Sequence, residues 1–325
     1  MTQDTVRMNT EQRARDKRYA KKSRASIEVA SLNMRGQYAN GQDKWMHLNQ
    51  IIHERKIGII AVQETHLTPT DATNVESIFP RLHIIPSIDP QHTNAKGVAL
   101  VINKDLVNTK GLTTSELIPG RAIIVQIPWH KDLKINILAI YAPNNPILNA
   151  QFWEEIRRKT EGALKPDVML GDFNVVEDAI DRLPPHCDQS ATTEALAQLK
   201  AELRLKDGWR WTNPDDRAYT YHQSAHQGGA QSRIDRIYIK EDMIPHSKDW
   251  EIDSTGIETD HQMVSVRISD AQMPYVGKGR LTMPHFLLKD HKLTTQVKRM
   301  GQKLQQDIDS CRDSRTEEHN PQIVY

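Results

Sequence analysis

The chain of 325 residues sets 43 Lys and Arg against 42 Asp and Glu and is 38% apolar, which suits one large domain with tails, or two small ones, at roughly 100–250 residues per domain. Nothing approaches the roughly 18 consecutive apolar residues of a membrane span. A polar, basic run rather than a secretory leader follows Met1, and two dispersed cysteines, Cys187 and Cys311, supply neither a disulfide framework nor a zinc site. The near-neutral total hides a net +5 over residues 1–25, −7 over 26–273 and +3 over 274–325. An acidic middle with basic tails is not the footprint of a protein that coats DNA passively; it suits carboxylates that hold a cation.

Residues 1–25 lack apolar periodicity and read as a basic disordered tail, whose run RARDKRYAKKSR (13–24) is a nuclear-import signal, a phosphate-binding arm or a solvated tail. From Ser26 the chain breaks into short apolar, β-branched runs: 27–34, 57–65, 82–88, 97–103, 122–129, 134–143, 167–174, 218–222, 233–239 and 263–268. Their lengths and Pro, Gly or Asn boundaries predict strands. Helical spacing appears before Lys56 (Trp45, Leu48, Ile51, Ile52), over 148–164, and over 192–206. Because most strands are continuously apolar, both faces of each sheet should be covered, and two packed sheets flanked by helices is the economical α/β architecture. A Pro/Gly connector (273–284) then leads to Leu293, Val297, Met300, Leu304, Ile308 and Cys311, one stripe of an amphipathic helix. Its partner is the domain's own surface, a missing domain, or a coiled-coil mate through 288–312.

Polar residues gather where predicted strands end, as a scaffold delivering side chains to a rim would place them. Asn33 closes the first strand and Glu64 the second. Tyr141 and Asn144 lie in YAPN, Asp172 and Asn174 in GDFN, Asp235 in SRIDR, and Asp260 and His261 in TDH before the last strand. Singly, each reads as an ordinary turn residue. Six such segments together do not.

These motifs (Asn33, Gln63-Glu64-Thr65-His66, Tyr141-Ala142-Pro143-Asn144, Gly171-Asp172-Phe173-Asn174, Ser232-Arg233-Ile234-Asp235 and Thr259-Asp260-His261) resemble, in order and spacing, those of the endonuclease/exonuclease/phosphatase superfamily. Within it the chain is most similar to the apurinic-type endonuclease domain of LINE-type (non-LTR) retrotransposons, especially fungal ones. The resemblance covers about 26–270 and implies a four-layer α/β/β/α sandwich of the DNase I type. It implies that 271–325 is a truncated lead-in to a reverse-transcriptase region. It further implies a DNA substrate, a reverse-transcriptase domain or element ribonucleoprotein as partner, no membrane, and a nuclear location with the cytoplasm as a second.

Phosphodiester hydrolysis calls for a hard cation, Mg²⁺ with Mn²⁺ as substitute, to neutralise charge on phosphoryl and leaving oxygens. Glu64 is the best protein ligand, Asn33 a neutral helper, and Asp260 a contact through water. Asp172 suits the base that takes a proton from the attacking water, with Asn174 orienting it. His261, kept protonated by a carboxylate that the family pattern assigns to Asp235, would donate to the phosphoryl group. Tyr141 offers its phenol, Asn144 braces its loop, and Arg121 and Arg233 are the expected phosphate contacts. Arg35 stands where cellular abasic-site enzymes carry a second acid, a departure that disfavours two-metal chemistry and favours the retrotransposon branch. Expected is a Mg²⁺-dependent endonuclease leaving a 3′-hydroxyl that primes reverse transcription. The alternatives are a cellular apurinic repair enzyme, a phosphoesterase of the same fold, and a silent nucleic-acid-binding fragment. His66, His83 and His222 read as structural residues or DNA contacts; Trp209 and Trp211 read as core residues or base-stacking platforms; the 222–232 stretch reads as a groove-entering loop or a hairpin turn.

Overall fold

The computed structural model describes residues 25–36, 42–89, 97–223, 228–271 and 291–313. The basic tail before Ala25, the 273–284 connector and the centre of the 222–232 stretch lie outside them. The chain divides into two compact units, Met1–Met273 and Pro274–Tyr325.

In the first unit β1 (Ser26–Asn33), α1 (Gln42–Glu54) and β2 (Ile57–Gln63) form a crossover whose strands pair in parallel. Helix α2 (Pro69–Ile78), β3 (Leu82–Ser87) and β4 (Val98–Asn103) follow. Then come β5 (Thr113–Ile118), β6 (Ala122–Pro128) and β7 (Lys134–Tyr141). Helix α3 (Pro146–Thr160) carries the chain to β8 (Val168–Asp172), which pairs in parallel with β7, a second crossover of the same kind. The rest is β9 (Arg182–Leu183), α4 (Ser190–Leu203), β10 (Leu205–Asp207), α5 (Gly208–Thr212), β11 (Tyr221–His222), β12 (Gln231–Ser232), β13 (Asp235–Lys240), β14 (Ser247–Asp253) and β15 (Met263–Ser269).

Two six-stranded mixed sheets result, in the orders β14-β15-β1-β2-β4-β3 and β10-β13-β8-β7-β6-β5, with β11-β12-β9 as a small third. Period-two alternation sorts their side chains into three apolar layers. Val29, Ile59, Leu100, Ile137, Leu170, Ile237 and Val266 fill the space between the large sheets. Leu32, Ile60 and Val101 face the other way, onto Trp45, Leu48 and Ile52 of α1 and Val75 of α2. Leu138, Ile140 and Met169 meet Phe152, Trp153 and Ile156 of α3 and Leu196 and Leu199 of α4. This is the expected α/β/β/α sandwich of DNase I type.

The core strands were legible because both their faces are apolar. Among the strands missed, β5 and β14 are polar edges, β5 mostly exposed and β14 half-exposed along its length, while β9, β10 and β12 are only two or three residues long. Helix α2 escaped notice because it buries only Ala72 and Val75, and its start is fixed instead by a capping box between Thr68 and Asp71 and by Pro69 in the first turn. The strand expected over 218–222 is only Tyr221–His222. In the second unit α6 runs His291–Asp313, with Val297 and Met300 exposed. Among the described residues no helix is long and apolar enough to cross a membrane.

Trp153 is buried between Phe152 and Phe173, with centroids 4.8 and 5.4 Å away, and its Nε1 donates to Asn149 Oδ1 at 2.5 Å. Replacing it with Ala should cost about 3–5 kcal/mol of unfolding free energy in urea titrations.

Candidate active site

Both crossovers point the carboxyl ends of their strands toward the same edge of the sandwich. On one sheet Asn33 of β1 lies in register with Gln63 of β2, and Glu64 follows with a left-handed backbone, φ 53°. On the other, Tyr141 of β7 pairs with Asp172 of β8, and Asp172 pairs with Asp235 of β13. Three polar side chains thus stand side by side on three neighbouring strands. His261 lies two residues before β15, which runs antiparallel to β1 and so starts at that edge.

Side chains from the two sheets meet there. Asn33 Nδ2 donates to Glu64 Oε1 and across to Asp172 Oδ2, both at 3.0 Å. Tyr141 Oη donates to Glu64 Oε1 at 3.0 Å. His261 Nδ1 lies 2.8 Å from Asp235 Oδ2. Asn174 donates its backbone N–H to Asp172 Oδ1 at 3.0 Å and its side-chain amide to Ala142 O at 3.0 Å.

Burial and mutual charge set the protonation of this cluster. Burial, then the neighbouring Asp235 charge, push the Asp172 carboxyl up to about 7, against the pull of His261 and of hydrogen bonds from Asn33 and Asn174. Burial works to lower His261, but its contact with Asp235, helped by Asp172 and Asp260, wins and raises it to about 9. Burial, with Glu64 and Asp172 adding, raises the Tyr141 phenol well above its ordinary value, so it stays a donor.

Asp172, Asp235 and His261 bring ligand atoms within 4.8 Å of one another, a set that could hold a metal. At neutral pH, however, the imidazole is the cation in that trio, so the trio suits proton handling better. Glu64 takes both its hydrogen bonds on Oε1, and it lines an open cavity of about 600 Å³ with Asp260. These hard oxygens fit a divalent ion. Asn33, expected as a metal ligand, is set differently: its NH₂ faces the two carboxylates, while Oδ1 accepts from Arg35 N at 2.9 Å. Asp260, expected to touch the metal through water, has Oδ1 3.9 Å from His261 Nε2, and its Oδ2 is held by Arg35 at 3.0 Å.

Arg233 is a correction. Expected at a phosphate, it is only 2% exposed, donates to Asp181 at 2.8 and 2.6 Å and to Asp207 at 2.7 Å, and stacks on Trp209. Three carboxylate contacts occupy its Nε and Nη2, and the Trp209 ring centroid lies 5.1 Å from the Arg233 guanidinium and 5.0 Å from that of Arg210, part of the same brace. Arg121 reaches the cluster from behind: Nη1 donates to Tyr141 O at 2.9 Å, and the guanidinium lies 5.1 Å from the Tyr141 ring centroid. Asn144 is exposed. Bracing of its loop falls instead to Asn149, whose buried amide donates to Pro143 O and Phe173 O at 2.8 and 2.9 Å, tying the YAPN and GDFN loops together. Its sequence signal was weak: an Asn one turn into a helix that Asn145 already caps.

Two threonines also went unread. Thr220 Oγ1 accepts from Asp235 N at 3.0 Å, and Thr259 Oγ1 donates to Asn33 O at 2.9 Å while accepting from His261 N at 3.2 Å. His83 pairs with Glu76, and His222 donates its backbone N–H to Asp260 O at 3.1 Å.

A profile of the Endonuclease/Exonuclease/phosphatase family matches residues 30–270. A Xenopus laevis protein, "Transposon TX1 uncharacterized 149 kDa protein", is 26% identical over 249 residues, which are 76% of this chain and 18% of that one; the chain spans under a fifth of that relative. Among solved structures, the AP endonuclease LMAP from Leishmania major is similar, with a TM-score of 0.61 at 14% identity, covering 75% of this chain and 88% of that one. The endonuclease domain of TRAS1, a telomere-specific non-LTR retrotransposon, gives 0.55 at 18% identity over 76% of this chain and all of that one (100%).

Two outcomes follow from this geometry. Gly171, at φ 149°, has no room for a Cβ against the Ile140 carbonyl, so Gly171→Ala should displace Asp172 and lower the melting temperature in calorimetry. Because His261 is raised in the folded state, its stabilising contribution is complete below its ordinary value of 6.5 and is lost as pH rises through about 9. Asp172, raised to about 7, loses stability across a lower window, above its ordinary 3.8. In EDTA, urea titrations should show His261→Gln flattening the upper limb and Asp172→Asn the lower.

Proposed function

We propose, on the premise that this chain belongs to the Endonuclease/Exonuclease/phosphatase family, that it is a Mg²⁺-dependent DNA endonuclease of the retrotransposon type, nicking one strand to leave a 3′-hydroxyl. The observation that carries this reading is the cross-sheet cluster itself. It holds a buried carboxyl poised near neutrality, Asp172, beside a protonated imidazole, His261, that is tied to Asp235.

Each residue then has a task. Asp172, oriented by Asn33 and by the Asn174 backbone, accepts a proton from the attacking water; a base with a pKa near the working pH is the effective one. As the water oxygen bonds to phosphorus, the P–O3′ bond breaks and the 3′ oxygen leaves with the bonding pair, taking a proton from solvent to become the hydroxyl. His261 Nε2, free of the Asp235 contact on Nδ1, donates to a phosphoryl oxygen, and the Tyr141 phenol supplies a second donor by turning its single O–H from Glu64 Oε1 to the substrate. Glu64, with Asp260 through water, would hold Mg²⁺, or Mn²⁺ on the same oxygens, and when bound the ion supplies charge neutralisation. The transposon relative and the TRAS1 domain support DNA as substrate. A nuclear template, and a polymerising partner that extends the 3′-hydroxyl, belong to the same proposal.

Supercoiled plasmid incubated with wild type, Glu64→Ala and Asp172→Ala, in Mg²⁺ or EDTA, tests it. Open circles should appear with wild type in Mg²⁺ alone, each variant losing about 10²–10³ in rate. No nicking by wild type, or equal nicking by all three, overturns the reading. An abasic oligonucleotide and an inositol phosphate alongside would reassign the substrate if either were turned over faster.

A further inference from the structure

Arg35 leaves the end of β1 with a left-handed backbone, φ 44°, fixed from two sides. Its N–H donates to Asn33 Oδ1 at 2.9 Å, and its carbonyl accepts from Lys44 Nζ at 2.9 Å; the same ammonium holds Met34 O at 2.9 Å. Gly36, next in the chain, donates to Glu64 O at 3.1 Å, so this backbone is pressed against the segment that carries Glu64. The guanidinium therefore has a rigid base at the mouth of the cavity it lines with Lys44, Glu64, His66 and Asp260. Its side chain is 64% exposed, and it pairs with Asp260 Oδ2 at 3.0 Å through Nη1 alone.

An exposed pair held by one nitrogen is weak. A guanidinium matches a phosphate with two parallel bonds, a better partner than the single contact it makes to Asp260. The groups that would handle the cleaved phosphate, Asp172, His261 and Tyr141, are all buried, whereas Arg35 lies outside them at the rim. Asp260 stands between them, its Oδ2 3.0 Å from Arg35 Nη1 and its Oδ1 3.9 Å from His261 Nε2, so the guanidinium flanks the group that would hold the cleaved phosphate.

We propose that Arg35, footed by Lys44, grips a backbone phosphate beside the one cleaved, exchanging Asp260 for it, and so makes the site select polynucleotides over isolated phosphodiesters. This rests on reading the site as a phosphodiesterase, and the experiment separates the two. In EDTA, anisotropy of a labelled DNA duplex over a salt series should show Arg35→Ala binding roughly tenfold more weakly at low salt, with the log–log salt slope smaller by about 1. Arg35→Lys should restore the slope. Asp260→Asn should tighten binding only while Arg35 is present. In Mg²⁺, Arg35→Ala should raise KM for DNA and leave kcat, and hydrolysis of bis(p-nitrophenyl) phosphate, unchanged. An unchanged salt slope, or equal losses on the DNA and the small diester, overturns the grip. Failure of wild type to hydrolyse either substrate overturns the phosphodiesterase reading instead, and the anisotropy still decides whether Arg35 binds DNA phosphate.

Discussion

Three hydrogen-bonded contacts that cross from one sheet to the other at a single edge constrain everything else in the first unit: Asn33 to Asp172, Tyr141 to Glu64, and His261 to Asp235. Elsewhere the sheets meet mainly through Val, Ile and Leu, with Ser87 of β3 donating to Glu116 of β5 at 2.6 Å where the two sheets' outer strands meet. At the edge that carries the site they meet through ionisable groups that are costly to bury alone. Removing one partner strands the other, so the cluster specifies how the two sheets register and not merely that they pack. The same tension raises Asp172 and His261 away from their ordinary values, so the constraint on the fold and the chemistry of the site have one origin.

A second polar block lies beyond the row of site residues, on the outer side of the second sheet. Asp181 is the hub. It accepts from Arg233 and Arg210 and lies near Arg236; Asp207 holds Arg233 as well, and Glu177 takes Lys200 and the Tyr238 hydroxyl. Glu177 follows the GDFN loop by three residues, and Arg233 and Arg236 flank Asp235. The block therefore clamps the two segments that deliver Asp172 and Asp235, which is why Arg233 looks like a phosphate contact in sequence and serves as a brace in space.

The sequence announced what depends on residue type and missed what depends on partners. Continuous apolar runs marked the central strands, because both sheet faces are covered, and polar residues at strand ends marked Asn33, Glu64, Tyr141, Asp172, Asp235 and His261. Spacing says nothing about which acids surround an arginine, so Arg233 was misplaced. Nor does it say which amide a turn will bury, so Asn149, Thr220 and Thr259 passed unnoticed although each orients a loop or side chain of the cluster. The amide of Asn33 shows the same limit: its type was informative, while the direction in which it presents its nitrogen was not.

The register Tyr141–Asp172–Asp235 has a consequence for how such a chain can change over time. Side chains on a strand alternate sides, so gaining or losing one codon inside β8 or β13 would rotate a carboxyl from the cleft to the opposite face of its sheet and carry every later neighbour with it. Apart from Gly171 and the two carboxylates themselves, point replacements within these strands leave that register in place, and length changes can accumulate in the connecting turns. Descendants of this architecture are therefore free to drift in composition and in loop size, while the spacing inside these two short segments stays frozen.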